Sequence, residues 1–367
     1  MGESNRPRIC EKGNDMLLTI VVFFALLILL VLTHEIGHFG AAKLTKVKVE
    51  EFGIGFPPRI WGFKRGDTIY SINWIPFGGF TRLLGEEDPS QQGSLASKSI
   101  PVRIFVLAAG SLLNILLPIL LFTMAFMIPH NVISEKVIIK EVAAESPAQM
   151  AGIEPGDRIV EICNRQVKNR ADLSYSIQLN LGNNIPMLIQ KPDLSEKTIL
   201  VTPRWNPPEG QGATGIMLSG IDSVPVAESM TFWEALPASI THSWEILVLF
   251  RNEVVSWFVR NTAPKLAGPV AIAQLTGEVV KAGISPLLEF TALISINLGI
   301  FNLLPFPGLD GGRLIFVFLE FIRRGKRISP QKEGLVHMIG FVTLILLILV
   351  ISYFDVSRLI RGESLLP

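Results

Sequence analysis

Residues 16–38 of the chain read MLLTIVVFFALLILLVLTHEIGH. The first eighteen of them, Met16 to Thr33, carry no charge, and an uncharged apolar run of this length is typical of a transmembrane α-helix. Two histidines and a glutamate follow at once, as His34, Glu35 and His38. Ionisable side chains at the end of a membrane helix are costly to bury, so their presence indicates a functional site.

A secretory signal peptide is an alternative interpretation of an apolar run so close to the start. Arg6, Arg8 and Lys12 would form its basic flank. The run leads into HEIGH, however, and not into the small-residue cleavage site that a signal peptide has. We therefore expect the run to be retained as the first span.

Three more apolar stretches follow, at 104–128, 286–306 and 336–354. Each is close to the roughly 20 residues that a helix needs to cross a bilayer. Because 49% of all residues are hydrophobic, the sequence predicts a polytopic α-helical membrane protein with about four transmembrane helices.

Segment 232–259 is also apolar, but its charges argue against a fifth span. It contains Glu234, Glu245, Arg251 and Glu253. Charges at mid-bilayer depth cost several kcal/mol each. The segment therefore predicts an amphipathic helix that either lies at the membrane interface or packs on a soluble domain.

Two loops between the predicted spans carry clusters of basic residues. Loop 39–103 carries many of them, and the loop after the third span has Arg313, Arg323, Arg324, Lys326 and Arg327. By the positive-inside rule both loops face the cytoplasm, so the long segment between the second and third spans and both termini lie outside. The net charge of +1 gives no indication of nucleic-acid binding.

Residues 137–218 have the pattern of a soluble, β-rich insert. Short alternating or β-branched runs such as VIIKEV, DRIVEI, IPMLIQ and KTILVTP predict strands. Between them, a short helix is predicted near Pro147 and a second helix near Ala171.

The residues His34-Glu35-Ile36-Gly37-His38 match the pattern H-E-x-x-H. On a helix the two histidines lie four residues apart and project from nearly the same face, so both can bind one Zn²⁺. Glu35 would act as the general base towards a water molecule that the metal acidifies. A surface helix with unrelated histidines is the alternative, and the apolar run before the motif argues against it.

A catalytic zinc ion usually takes a third protein ligand. His130, His242 and His337 are isolated in the sequence, whereas Asp310 stands between prolines and glycines in NLLPFPGLDGG, 302–312. Broken backbone at membrane depth is tolerated where it lines a cavity. By the topology above, Asp310 falls at the same depth as the two histidines. An ordinary turn aspartate is the alternative.

A first span ending in HEIGH and a third carrying NLLPFPGLDGG resemble the site-2 protease family of intramembrane zinc metalloproteases. The run SPAQMAGIEPGDRIVEI, 146–162, resembles a PDZ domain. Together these resemblances imply the bacterial, PDZ-containing branch, whose members cleave anti-sigma factors and signal-peptide remnants in regulated intramembrane proteolysis. The implied fold is four membrane helices with an inserted extracytoplasmic α+β PDZ domain and a re-entrant β-hairpin region.

The resemblance implies site residues by position. His34, His38 and Asp310 would bind one Zn²⁺ per chain, with Glu35 as the catalytic base. Asn297 and Asn302 would hold substrate, or else hydrogen-bond between helices. The expected re-entrant hairpin would bind substrate through Gly78, Gly79 and Phe80. In the PDZ domain, Gly215, Ile216, Met217 and Leu218 are the candidate peptide-binding loop.

The expected boundaries follow from these assignments. They are an extracytoplasmic segment 1–15, a first membrane half 16–128, a PDZ domain 132–222, amphipathic extracytoplasmic helices 229–285 and a second membrane half 286–367. The expected partners are single-span membrane proteins that another protease has already cut, with peptide C-termini at the PDZ domain and no nucleic acid. The expected location is the bacterial inner membrane, with the active site towards the cytoplasmic side.

Two other classes of function fit parts of the pattern. A membrane-anchored PDZ scaffold with a vestigial metal site would explain the insert but not the retention of Glu35. A cation transporter would explain the intramembrane His, Glu and Asp but not the insert. A single PDZ domain is predicted where some members of the branch have two, so the family's way of filtering substrates by size does not carry over in detail. Peptide binding and exclusion by size are the two alternative roles of the domain.

Overall fold

The computed structural model describes residues 9–86, 88–261 and 268–361. Residues 1–8 of the predicted N-terminal segment lie outside the described residues. The described helices are α1 Ile9–Leu44, α2 Ile100–Met127, α3 Pro147–Met150, α4 Arg170–Leu179, α5 Phe232–Arg260, α6 Pro269–Ala282, α7 Ile284–Leu303, α8 Asp310–Ile322 and α9 Pro330–Ile360. The strands are β1 Val49–Arg65, β2 Thr68–Leu83, β3 His130–Val142, β4 Arg158–Ile162, β5 Arg165–Gln166, β6 Ile185–Gln190, β7 Glu196–Val201 and β8 Ile216–Glu228.

Within the described residues, 4 helices are long and apolar enough to cross a membrane. Their bounds are Met16–Leu44, Ile100–Met127, Ile284–Leu303 and Pro330–Ile360, and each overlaps one of the four apolar stretches in the sequence. In α9, Phe341, Leu347 and Leu349 are 56%, 47% and 60% exposed, as expected of side chains that face lipid. The chain is therefore an integral membrane protein with a separate sheet-containing region.

The backbone forms two compact units, Met1–Ala125 with Lys265–Pro367 and Phe126–Pro264. The first unit contains all four apolar helices except the end of α2, and the second contains strands β3 to β8. This division cuts through the region 229–285 that the sequence assigns to amphipathic extracytoplasmic helices. Helix α5 belongs to the second unit, whereas α6 packs against α1, α7 and α9 in the first.

In the first unit, α1 and α2 approach each other closely because small residues line their contact. A Cβ on Gly37 would lie 2.5 Å from the carbonyl oxygen of Ala109. A second contact holds α8 against α2, since Arg103 of α2 donates to Glu320 of α8 and both side chains are buried. Arg327 also donates to Glu320, so the buried carboxylate is paired with cations on both oxygens.

Strands β1 and β2 fold into a small bent sheet beside α1. Residues 49–54 of β1 pair with residues 79–83 of β2 on one side and with residues 69–72 on the other. Residues 79–83 are therefore an edge of this sheet within the described pairing. The edge packs on α1, because the Thr81 hydroxyl donates to the Glu35 carbonyl at 3.1 Å and the backbone of Gly78 lies against Val31.

Helix α7 ends at Leu303 and α8 begins at Asp310, so the chain breaks where the sequence predicts. Pro305 and Pro307 lack the backbone N–H that a continuous helix needs. Gly308 has φ +95°, a conformation that favours glycine. The break delivers the Asp310 side chain at the first turn of α8.

The second unit contains a sheet of order β7-β6-β4-β3-β8, with β5 paired to β4. Its core is one cluster of buried apolar side chains that includes Ile139, Ile159, Leu173, Met187 and Ile189. Helices α3 and α4 lie where the sequence predicts them, and Ala148 and Leu173 belong to the same buried cluster. Ser146 caps α3 and Asn169 caps α4, each by accepting a backbone N–H.

Helix α5 packs against α4 within this unit. Arg165 Nη2 donates to Glu245 Oε1 at 2.7 Å, and Asn252 donates to the Gln178 and Leu179 carbonyls. Glu245 also accepts from the Tyr175 hydroxyl. Of the two placements predicted for segment 232–259, the described residues show packing on the sheet-containing region.

Candidate metal centre

Three side chains from two distant parts of the sequence meet inside the first unit, which contains the apolar helices. The Nε2 atoms of His34 and His38 lie 3.1 Å apart. Asp310 Oδ2 lies 3.1 Å from His34 Nε2 and 3.2 Å from His38 Nε2. Asp310 is 272 residues from His38 in sequence, so the tertiary fold alone brings these atoms together.

The triangle has the dimensions of a zinc site. Ligand atoms about 2.0 to 2.1 Å from a tetrahedral ion lie roughly 3.3 Å from one another. The three observed separations of 3.1 to 3.2 Å are close to that value. Two imidazoles and a carboxylate are also a donor set that zinc accepts, and three protein ligands leave the open position of a catalytic site.

His38 is held in the tautomer that a metal ligand needs. Its Nδ1 lies 2.8 Å from the carbonyl oxygen of Val106 in α2. A carbonyl oxygen only accepts hydrogen bonds, so Nδ1 carries the proton and Nε2 presents its lone pair to the site. The backbone of α2 therefore fixes both the ring orientation and the protonation of this candidate ligand.

Helix α9 positions Asp310 by contacting the loop that precedes it. The Gly308 backbone N–H donates to His337 Nδ1 at 3.1 Å. Gly340 allows the loop to approach, since a Cβ there would lie 2.0 Å from the carbonyl oxygen of Pro307. In the sequence, His337 stands without a partner. In the structure, this histidine supports the loop that leads into Asp310.

The backbone of α2 at Gly110 lies directly against the two histidine rings of the triangle. A Cβ at this position would lie 2.4 Å from His38 Nε2 and 2.8 Å from His34 Cε1. Ser111, the next residue, places its hydroxyl 3.4 Å from Asp310 Oδ2. Sequence reasoning missed both residues. The only signal was a pair of small residues, Gly110 and Ser111, within an apolar helix.

The triangle opens into a cavity of about 220 Å³. Glu35 lines this cavity together with His34, His38 and Asp310. The edge strand of the small sheet supplies Phe80 and Thr81 to the same cavity. A carboxylate is thus available next to the metal-binding atoms, which is the arrangement that water activation needs.

A larger cavity of about 1170 Å³ lies within the second unit, between α4, α5 and the end of β8. It is lined by His130, His242 and several charged residues. Among the described residues, the group of histidine and acidic side chains close enough to bind one metal ion is His34, His38 and Asp310. We therefore place the chemistry in the smaller cavity, lined by His34, Glu35, His38 and Asp310, and call it the catalytic cavity.

The predicted substrate-binding residues lie at different distances from this cavity. Phe80 lines it, and a Cβ on Gly79 would be 3.6 Å from Glu35 Cγ. Gly78 packs against Val31 of α1. Asn297 lies on an exposed face of α7, whereas Asn302 Nδ2 is 3.5 Å from His34 Nδ1. The roles of these five residues stay predictions.

The contact of Asn302 with His34 suggests a second role for that amide. When Nε2 binds a cation, the ring proton sits on Nδ1, and Asn302 accepts it through its oxygen after a half turn of the amide. We expect Asn302→Leu to lower zinc affinity by about 10- to 100-fold, measured by competition with a chromogenic chelator. Asn302→Asp, which keeps an acceptor, should retain zinc. A raised KM with unchanged zinc affinity in both variants would instead support substrate binding alone.

In the second unit, the predicted peptide-binding residues begin the edge strand β8. Gly215 has φ +78°, and a Cβ there would lie 2.3 Å from the Ser146 Cβ. Ile216 to Leu218 then pair with β3 on one side. Strand β8 ends the sheet order, so its other side is an edge among the described strands.

Known proteins resemble this chain over most of its length. The model of peptidase family M50 matches residues 22–347. A Clostridium acetobutylicum protein whose name places it among the zinc metalloproteases is 35% identical over 331 residues, covering 89% of this chain and 94% of that protein. Zinc metalloprotease RasP of Geobacillus kaustophilus is 29% identical over 430 residues, covering 95% and 99%. RasP of Oceanobacillus iheyensis is 27% identical over 432 residues, covering 93% and 99%.

The family match spans both halves of the metal site, since it begins before His34 and ends after Asp310. The zinc named in the relatives fits the histidine and aspartate atoms that converge here. The chain belongs to peptidase family M50, the site-2 protease family, and is a zinc metalloendopeptidase of the membrane.

Proposed function

We propose that the protein hydrolyses a peptide bond within or near the transmembrane segment of single-span membrane proteins. The observation that carries this proposal is the position of His34, Glu35 and His38 in α1, inside a helix long and apolar enough to span the bilayer. A protease with its base and metal ligands at this depth acts on substrates that are themselves in the membrane.

The residues of the site have distinct tasks in this reaction. His34, His38 and Asp310 would hold Zn²⁺, which, when bound, polarises the scissile carbonyl and lowers the pKa of water. Glu35 takes the proton from the attacking water and passes it to the departing amine nitrogen. Val106 and His337 keep the ligands oriented. One zinc ion per chain is the proposed stoichiometry.

The edge strand at residues 79–83 supports a role in substrate presentation. A transmembrane helix hides its peptide bonds within its own hydrogen bonds, so a protease must unwind it. An extended segment can pair with a sheet edge, and Phe80 and Thr81 at this edge, which packs on α1, line the catalytic cavity. Gly78, Gly79 and Phe80 would thus hold the unwound substrate beside Glu35, with Asn297 and Asn302 as further amide contacts.

We propose that the insert is a PDZ domain on the extracytoplasmic side. Its support is the SPAQMAGIEPGDRIVEI run together with the open edge of β8 after Gly215. Peptide C-termini would pair with Ile216 to Leu218. Exclusion of large substrates by size is the alternative role. The proposed boundary is 132–222, although β3 begins at His130 and β8 ends at Glu228.

The proposed biological role is regulated intramembrane proteolysis in a bacterial inner membrane, with both ends of the chain and the insert outside. Anti-sigma factors and signal-peptide remnants are the proposed substrates, after another protease has removed the outer domain. The basic loops at 39–103 and after α8 support the cytoplasmic position of the catalytic cavity.

The test is cleavage of a single-span substrate already stripped of its outer domain, by the purified protein in liposomes. We expect one new cut within or next to the substrate's span, located by mass spectrometry. Activity should disappear with 1,10-phenanthroline and return with added Zn²⁺. A full-length substrate with a bulky outer domain is the control and should be cut more slowly. Intact substrate in every case, despite bound zinc, would support a scaffold or a transporter instead.

A further inference from the structure

The catalytic cavity contains a cation to which the tasks described above give no role. Among the described residues that line it, Arg313 is the only lysine or arginine. It lies in the first turns of α8, three residues after Asp310. Residues three apart on a helix share a face, with about 5 to 6 Å between their Cβ atoms, so Arg313 and Asp310 project into the same space.

Glu86 anchors Arg313 from the opposite wall. Arg313 Nη1 contacts Glu86 Oε2 on the loop that follows β2, and the two side chains are 38% and 23% exposed. Both residues line the cavity. A guanidinium is always charged and has five N–H donors in a rigid fork. The carboxylate of Glu86 therefore holds the charged end of Arg313 at the cavity wall.

Peptide hydrolysis places a negative charge on one oxygen for a moment, and a donor beside that oxygen adds to the polarisation that bound zinc would supply. As the water oxygen bonds to the carbonyl carbon, the electron pair of the C=O bond moves onto the carbonyl oxygen, which becomes negative. Donors aimed at this oxygen lower the barrier more than donors aimed at the resting carbonyl. A fixed positive charge beside the reacting atoms meets this need.

The other polar side chains of the cavity serve different purposes. His34 and His38 direct their Nε2 atoms at Asp310. His38 Nδ1 donates to Val106, and the Thr81 hydroxyl donates to the Glu35 carbonyl. Glu35, Glu86 and Asp310 are carboxylates, which only accept hydrogen bonds when ionised.

We infer that Arg313 is a catalytic residue that donates to the scissile carbonyl oxygen as it becomes negative, an assignment that rests on the proposed protease function. The step balances within the site. Glu35 takes one proton from the attacking water, and the C–O bond forms while charge collects on the carbonyl oxygen opposite Arg313. When the C–N bond breaks, that charge returns to re-form the C=O bond, and the nitrogen takes the proton from Glu35.

The test compares Arg313→Gln, Arg313→Lys and Glu86→Gln with the wild type in liposomes, with Arg323→Gln as a matched control at the exposed end of α8. Loss of one such donor typically lowers kcat by about 10²- to 10³-fold. We expect this loss for Arg313→Gln with KM within a few-fold of wild type, and a smaller loss for Arg313→Lys, which keeps the charge but not the fork. Zinc content per chain should not change.

A binding measurement separates stabilisation of charge from structural support. A phosphonamidate peptide carries negative oxygens where the carbonyl oxygen would be, whereas an uncleaved substrate bound to a Glu35→Gln background carries none. Arg313→Gln should weaken phosphonamidate binding by the same factor as kcat/KM and leave substrate binding within a few-fold.

Three outcomes would overturn the inference. A large loss of kcat in Glu86→Gln with wild-type kcat in Arg313→Gln would make Glu86, and not the guanidinium, the important group. Lower zinc content or a raised KM alone in Arg313→Gln would make Arg313 a support for the metal or the substrate. Equal weakening of phosphonamidate and substrate binding would also show a supporting role. A wild type that cuts no substrate would instead contradict the proposed protease function.

Discussion

Replacing Glu35 by glutamine should abolish cleavage while zinc stays bound. The amide has nearly the same shape as the carboxylate but cannot take a proton from water, so general-base catalysis is lost. We expect kcat to fall by about 10³- to 10⁴-fold, which is about 4 to 5.5 kcal/mol in activation free energy. His34, His38 and Asp310 are untouched, so zinc content should match the wild type.

The measurement is single-turnover cleavage in liposomes, paired with metal analysis of the same preparations. Glu50→Gln is the matched control, because Glu50 is an exposed residue of β1 away from the catalytic cavity. It should cleave at the wild-type rate. Residual activity above about one tenth of wild type in Glu35→Gln would exclude Glu35 as the base, since a positioned base contributes at least about 10²-fold.

Adding one methyl group at Gly110 should remove the metal. The Cβ of an alanine would lie 2.4 Å from His38 Nε2 and 2.7 Å from His38 Cδ2, which is closer than non-bonded atoms approach. His38 cannot yield without losing its hydrogen bond to Val106. We expect Gly110→Ala to weaken zinc binding by at least about 100-fold, at the upper end of what loss of ligand orientation costs.

Zinc affinity of the purified variant, by competition with a chelator of known affinity, checks this expectation. Gly40→Ala is the matched control, since Gly40 lies in α1 with nothing within 4 Å of the added Cβ. It should keep zinc and activity, because alanine is the better helix former. Wild-type zinc affinity in Gly110→Ala, with the membrane fold intact by limited proteolysis, would show that α2 is not packed against the ligands in this way.

Much of the membrane architecture follows from local sequence. An uncharged run such as Met16–Thr33 has few alternatives to a membrane helix, because a bilayer requires every backbone group to be paired within the segment. The prolines before Asp310 predict the break between α7 and α8 for an equally local reason. Histidines four residues apart on a helix must share a face, so half of the metal site is encoded within five residues.

Other features depend on contacts that no local pattern records. The placement of α5 and α6 in different units is one example, since both are apolar helices with scattered polar residues. Their separation follows from what each packs against, α4 for the first and α1, α7 and α9 for the second. The role of His337 is another, because its partner is a backbone N–H 29 residues away.

Short stretches of chain are enough to predict the spans, the paired histidines with their glutamate, and the candidate aspartate, because membrane insertion and helical periodicity act locally. Only the folded chain shows that Asp310 lies 3.1 to 3.2 Å from both histidines, that the backbone of α2 at Gly110 lies directly against their rings, and that Arg313 shares their cavity. These features depend on how closely α1, α2 and α8 approach one another. That approach is set by the side chains at which α1, α2 and α8 contact one another, acting together.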